Sequence, residues 1–376
     1  MADLVRGTLL DILDGIFDQP FDEPIDDEEF NIVALRLFAR QFERNAPYAA
    51  FCARRGRTPE TVEHWIAVPP VPTAAFREVA LVTGAPHDAE AVFRTSGTTR
   101  GAERRGVHYI PELAIYHTAL TRAFSACLLP DGARLRMLSI VPPGTDMPDS
   151  SLAHMIDVVM RELGTGDSRH CATAAAGIDE RALASELRTA ERTGSPVCLL
   201  GTSFSFVHWL DGILERGERF HLPEGSRLMD TGGYKGRSRA VEETALRGMY
   251  TELLGIPATH CVNEYGMTEM CSQFYDSTLR AAVRGRSADR YKVAPPWVRT
   301  RVVDPETLDP LPSGSTGLLQ HFDLANAGSV MAIQTEDLGV QAAGGFRLIG
   351  RAPGATPRGC SIAMDILLEA VHPRGR

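Results

Sequence analysis

Long apolar runs are missing from this sequence of 376 residues: no segment approaches the roughly 18 uninterrupted apolar residues of a membrane-spanning helix. Surplus positive charge is missing too. With 39 basic against 48 acidic residues the net charge is −9, so there is no general attraction to nucleic acid or anionic lipid, and any phosphate site has to be local. The seven cysteines (52, 127, 171, 198, 261, 271 and 360) include no C-x-x-C pair and no neighbouring histidine at zinc spacing. Most are expected to be reduced, buried and inert. No Gly-Lys-Ser/Thr follows a glycine-rich turn at the spacing of a Walker P-loop. Internal repeats and low-complexity tracts are absent. Asp3, Asp11 and Asp14 interrupt the apolar positions of the first residues, which read as an amphipathic helix rather than a signal peptide and point to the cytoplasm.

What is present is enough apolar residue, 44%, to fill a large α/β core. Two helical patterns, at 4–17 and 30–42, flank the acidic stretch DQPFDEPIDDEE, whose carboxylates suit a solvated helix start. After the closely spaced prolines of PPVPTAAFR (69–77), short apolar strands alternate with helices: LRMLSIV (135–141) before a helix from about Ser151, and PVCLLG (196–201) before one from about Phe204. Such alternation puts ligand loops at strand ends. From about Pro295 the texture is strand-rich, with RTRVVD, GLLQHFDL and GFRLIGR between turn residues. The expected divisions are a helical segment at 1–68, an α/β nucleotide- and acyl-binding core at 69–294, and a β-rich subdomain at 295–376.

Two stretches carry the chemistry. RTSGTTRG (94–101) offers backbone N–H groups and hydroxyls to phosphate oxygens, although an ordinary tight turn has the same composition. NEYGMTEM (263–270) is more specific. Tyr265 presents a flat face for a base, Gly266 permits close backbone approach, and Thr268 and Glu269 supply a hydroxyl and a Mg²⁺-binding carboxylate; the competing reading is a helix start capped by Thr268. DTGGYKGR (230–237) has glycines that would lie against a planar ligand, or a β-turn with exposed charges. TEDLG (335–339) puts Asp337 on a turn, where a carboxylate accepts from both ribose hydroxyls, and Arg351 follows at GR. His154 and His208 fall on helices beside apolar residues, and read more readily as packed histidines than as substrate contacts. Cys360, in RGCS, has Arg358 and Arg351 nearby in sequence; neighbouring cations would lower a thiol pKa and favour the thiolate that an acyl acceptor needs.

The ordered set RTSGTTRG, GTSF, DTGGYKGR, NEYGMTEM, TEDLG and GR resembles the adenylate-forming superfamily of acyl-CoA synthetases and related ligases. Within it, NEYGMTEMCSQFYD, PPWVRTRVVDPETL, HFDLAN and RGCS are most similar to the LuxE-type acyl-protein synthetases of bacterial luciferase operons, from about Pro69 to the C-terminus. The resemblance implies an α/β fold of the adenylate-forming N-terminal type, with a helical N-terminal segment and a small β-rich subdomain. It implies that ATP and a fatty or aromatic acid form an acyl-adenylate, that the acyl group moves to an enzyme cysteine, and that a partner reductase or transferase receives it. By the same carry-over Thr95, Ser96, Gly97, Thr98 and Thr99 cradle the β- and γ-phosphates, Thr268 the α-phosphate and Glu269 Mg²⁺. Asp337 and Arg351 then hold the ribose, Gly232, Gly233, Tyr265 and Gly266 the adenine region, and Cys360 the acyl group.

Arg100 stands where many relatives have glycine. Only 25 residues follow Arg351 (376 − 351), too few for the mobile domain that carries a catalytic lysine in full-length relatives. Two other readings stay open: an acyl- or aryl-CoA ligase or carboxylate-adenylating enzyme of secondary metabolism without self-acylation, and a nucleotide-binding regulatory protein that lost its chemistry.

Overall fold

The structure, a computed structural model, describes residues 8–96, 105–232, 241–287, 289–352 and 358–371. Chain contacts divide it into two compact units: Met1–Arg122 with Met267–Ser272 and Val293–Arg376, and Ala123–Gly266 with Gln273–Lys292. These units do not coincide with the expected divisions at 69 and 295. The N-terminal helices belong with the C-terminal strands, and polar side chains show why.

In the first unit, helix Leu9–Asp18 begins at a reciprocal Thr8/Asp11 capping box. Helix Asp27–Arg44 begins at Asp26, with Asp27, Glu28 and Glu29 in its first turn, so the acidic stretch does sit where a helix dipole favours carboxylates. Its inner face buries Phe30, Val33, Ala34, Leu37, Phe38 and Gln41, the spacing of one helical stripe. Gln41 is the polar member. Its amide donates to the Asn326 carbonyl at 2.9 Å and accepts the Met331 N–H at 3.0 Å, while Asn45 donates to the Ser329 carbonyl. These bonds fasten the N-terminal helices to the loop at 326–331. Four antiparallel strands follow one another in order: Val298–Val303, Thr316–Asp323, Ala332–Ala342 and Gly345–Arg351. Val71–Pro72, in the proline-rich entry, pairs in parallel with the third. A separate hairpin joins Ala91–Arg94 to Val107–Ile110, and helix Arg358–Val371 closes the described chain.

The second unit has the strand–helix alternation expected from the sequence. Parallel strands lie in the order Arg169–His170, Arg136–Ser139, Val197–Thr202, Arg227–Thr231 and Cys261–Tyr265, with Phe274–Asp276 antiparallel beside the last. Helices Ser151–Leu163 and Ser203–Glu215 start within a residue of the expected places. Leu199, Leu228, Phe206, Trp209, Leu210 and Tyr250 pack into one core, which leaves the carboxyl ends of the parallel strands to carry polar residues.

Candidate active site

At the carboxyl end of Arg227–Thr231 in the second unit, Asp230 is buried and accepts from Tyr250 at 2.8 Å, Ser203 at 3.2 Å and Asn263 at 2.9 Å. Burial nevertheless pushes its pKa up. Gly232 follows at φ +75°, a backbone conformation that favours glycine. On the next strand Glu264 is fully enclosed, accepts the Thr231 hydroxyl, and is pushed up to about 7 by burial. A Cβ at Gly266 would strike the Glu264 carboxylate, so the close approach read from NEYGMTEM has a neighbour inside the protein as its cause. Tyr265 points the other way along the strand and packs at 5.8 Å from Phe274. Lys292 bonds both oxygens of Asn263 and pairs with Asp276 at 3.0 Å. Burial would raise the Asp276 pKa, but Lys292 and Arg290 outweigh it and hold the group below the usual carboxylate range.

Residues Met267–Ser272 belong to the first unit. They form no helix start: the strand ends at Tyr265, and the following loop is gripped by its backbone. Asp323 accepts the N–H groups of Cys271 and Ser272 at 3.1 and 2.9 Å, together with the Ser272 hydroxyl at 2.7 Å. Asn326 donates to the Glu269 carbonyl at 2.9 Å, and His108 lies 2.7 Å from the Thr268 carbonyl. HFDLAN thus contains two clamps on the loop that carries Thr268 and Glu269. Asp323 and Asn326 have no assigned role in the sequence reading, although their motif is visible there; His108 gives no sequence signal.

Of the stretch RTSGTTRG, expected to cradle phosphates, Arg94, Thr95 and Ser96 are described; Gly97, Thr98 and Thr99, with the Arg100 departure, lie outside the described residues, as does Gly233. The neck is closed by four bonds: the Thr95 N–H to the Gly106 carbonyl, the Gly106 N–H to the Thr95 hydroxyl, and the Arg105 side chain to the carbonyls of Thr95 and Arg94. The Thr95 hydroxyl oxygen therefore accepts from the Gly106 backbone, and its proton can still be donated to an acceptor.

Asp337 is not on a turn. It lies within the strand Ala332–Ala342, directly opposite Arg351 on Gly345–Arg351, because the two strands continue pairing through TEDLG with one register shift at 338–339. Arg351 is ion-paired with Glu336 at 2.5 Å. Burial works against its charge, but Glu336 first, then Asp337 and Glu269, raise its pKa. The fold therefore brings Glu269 into one electrostatic neighbourhood with Asp337 and Arg351, which face each other across two consecutive strands.

Cys360 departs most from the sequence argument. It sits at the start of helix Arg358–Val371, packed with Val303 and Leu318, and its thiol donates to the Thr335 carbonyl at 3.7 Å. Burial pushes the thiol up to about 12, and Glu336 adds to the rise. The arginines close by in sequence do not act on it: Arg358 is exposed and Arg351 is turned to Glu336. Beside the thiol is a cavity of about 200 Å³, whose lining includes Pro72, Thr73, Gln334, Glu336, Met364 and Asp365. All seven cysteines are buried and unbridged. Among the described residues no helix is long and apolar enough to cross a membrane.

This architecture is that of the adenylate-forming ligases: it superimposes on 2-hydroxyisobutyryl-CoA ligase in complex with 2-HIB-AMP and CoA with a TM-score of 0.63 at 14% identity, over 89% of this chain and 74% of that one. In sequence, the long-chain-fatty-acid–luciferin-component ligase of Vibrio harveyi is 22% identical over 349 residues, covering 89% of this chain and 86% of that protein. The Aliivibrio fischeri protein of the same name is 24% identical over 153 residues, or 38% and 36%. The model of the LuxE acyl-protein synthetases matches residues 8–368, and the chain belongs to that family. It is an ATP-dependent, AMP-forming ligase that activates a carboxylic acid as the acyl-adenylate.

Proposed function

We propose that the adenylation half-reaction is carried by Thr268, Glu269, Asp337 and Arg351, and that Cys360 takes the acyl group for delivery to a reductase. The observation that supports this most is the shared field of Arg351, Asp337 and Glu269. Asp337 is half-exposed and would accept from the ribose hydroxyls, with Arg351 placed across the strand to donate to ribose or phosphate oxygens. Thr268 is half-buried on a loop whose backbone is fixed, so its hydroxyl would meet the α-phosphate without reordering the chain.

Among the described residues no three His, Cys, Asp or Glu side chains form a metal cage. A buried carboxylate such as Glu269 nonetheless suits Mg²⁺, which keeps several waters and takes its other oxygens from phosphates. Glu269 would hold the ion, whose charge would oppose that on the phosphate oxygens. The carboxylate of the substrate attacks the α-phosphorus, pyrophosphate leaves, and Thr268 and Arg351 stabilise the charge that moves.

A second reading, transfer to CoA or to a carrier protein, draws support from the burial of the Cys360 thiol. ATP–pyrophosphate exchange across a panel of fatty and aromatic acids, followed by intact mass, separates the readings. Carboxylate-dependent exchange with a hydroxylamine-labile adduct on the protein is expected. A product that forms only with free CoA would replace the acyl-protein step, and no exchange with any acid would leave a nucleotide-binding protein without chemistry.

A further inference from the structure

His108 stands on the strand Val107–Ile110, the descending flank of the phosphate-loop hairpin, and is almost completely buried. Its Nδ1 lies 2.7 Å from the Thr268 carbonyl and its Nε2 lies 3.0 Å from Asn326 Oδ1. The amide of Asn326 cannot be turned round, because its nitrogen already donates to the carbonyls of Glu269 and Val330, both at 2.9 Å. Phe76 meets the imidazole edge-on at 5.6 Å and fixes the plane of the ring. Both ring nitrogens therefore face oxygen acceptors.

Burial pushes the His108 pKa down to about 4, so at neutral pH the ring has one N–H for these two acceptors. The Thr268 carbonyl is the closer of the two. Asn326 Oδ1 has another donor in the Cys271 thiol at 3.4 Å. Hydrogen-bond accounting thus assigns the proton to Nδ1 and its bond to Thr268.

We propose that His108 is the positioning residue for the phosphate contact at Thr268: its Nδ1–H holds the Thr268 carbonyl and ties the flank of the phosphate loop to the loop Met267–Ser272. The strand that carries His108 and the loop that carries Thr268 are thereby fixed to one another before ATP arrives. The alternative, a purely structural histidine, would stabilise the fold without distinguishing one ligand from another. The proposal rests on the reading of Thr268 as a phosphate contact.

Two substitutions separate the ring nitrogens. His108→Asn keeps a short amide donor near the Nδ1 position, and His108→Gln reaches toward the Nε2 position instead. Binding of Mg·ATP and of adenosine is measured by calorimetry for each, with the melting temperature recorded alongside and Thr268→Ala as reference. His108→Gln should weaken ATP by about 10-fold or more through misplacement of Thr268, leave adenosine unchanged, and raise KM for ATP in exchange more than it lowers kcat. His108→Asn should bind ATP close to wild type. Equal effects of Asn and Gln, no effect of either, or parallel weakening of ATP and adenosine would overturn the proposal. If Thr268→Ala weakens ATP while His108→Gln does not, His108 alone loses its role. If Thr268→Ala leaves ATP binding unchanged, the Thr268 reading fails first and the positioning role fails with it.

Discussion

Asp323 holds Ser272 twice: one carboxylate oxygen accepts the Ser272 N–H at 2.9 Å and the other accepts its hydroxyl at 2.7 Å. The same carboxylate takes the N–H groups of Cys271 and Ala325, so four donors converge on a fully buried group. Asp323→Asn would turn an amide N–H₂ toward two of those donors. A loss of about 2–4 kcal/mol in urea unfolding is expected, because buried donors are left unmatched. A loss well under about 1 kcal/mol would mean that the loop is anchored elsewhere.

Glu269→Gln preserves size and removes the charge proposed to hold Mg²⁺. Adenylation should drop by on the order of 10²-fold or more, most severely when Mg²⁺ is limiting. Near-normal pyrophosphate exchange at limiting Mg²⁺ would take the metal away from Glu269.

Asp337→Ala removes the acceptor that faces Arg351 across the strand pair. ATP affinity should fall by about 1.5–3 kcal/mol, the range for charge-assisted hydrogen bonds, while the order of preference among acids stays the same. Calorimetry with ATP and exchange with the acid panel read the two halves of this expectation, and a shifted acid preference would contradict it.

Cys360 should react slowly with iodoacetamide in the native protein at pH 8, since a thiol pushed up to about 12 is almost wholly protonated there. Cys360→Ala should leave pyrophosphate exchange largely intact and abolish the hydroxylamine-labile adduct. Cys271→Ala, which removes another buried thiol, should retain the adduct wherever the protein folds. The same acyl mass increment on the Cys360→Ala protein would move the acceptor to another residue.

Glu264 gives a pH signature. Its folded pKa, about 7, lies above the ordinary 4.5, so the folded state binds the extra proton between those values. Its contribution to stability is complete below about pH 4.5 and is lost as pH rises through about 7. Glu264→Gln should flatten that part of the wild-type stability profile, by up to about 3 kcal/mol between its ends. Parallel pH profiles for the two proteins in chemical denaturation would remove Glu264 as the source.

By itself the sequence determined what depends on near neighbours. Apolar runs bounded by turn residues located strands such as Val197–Thr202 and Val298–Val303, and alternation with helices gave the α/β character of the second unit. Motif composition identified Thr268, Glu269, Asp337 and Arg351 as candidates, because a hydroxyl, carboxylates and a guanidinium announce their chemistry wherever they stand. Tertiary structure decided everything that depends on who lies across space. Asp337 reads locally as a turn residue, yet long antiparallel pairing keeps it in a strand opposite Arg351. Cys360 reads as cationic, yet the helix turns its thiol into an apolar cluster and burial outweighs charge along the chain. The clamp on Thr268 and Glu269 joins His108 to residues 160 and 218 positions away, and no local pattern encodes a separation of that size. Those contacts exist because the fold buries backbone carbonyls that must find donors, and only the folded chain determines which side chains supply them.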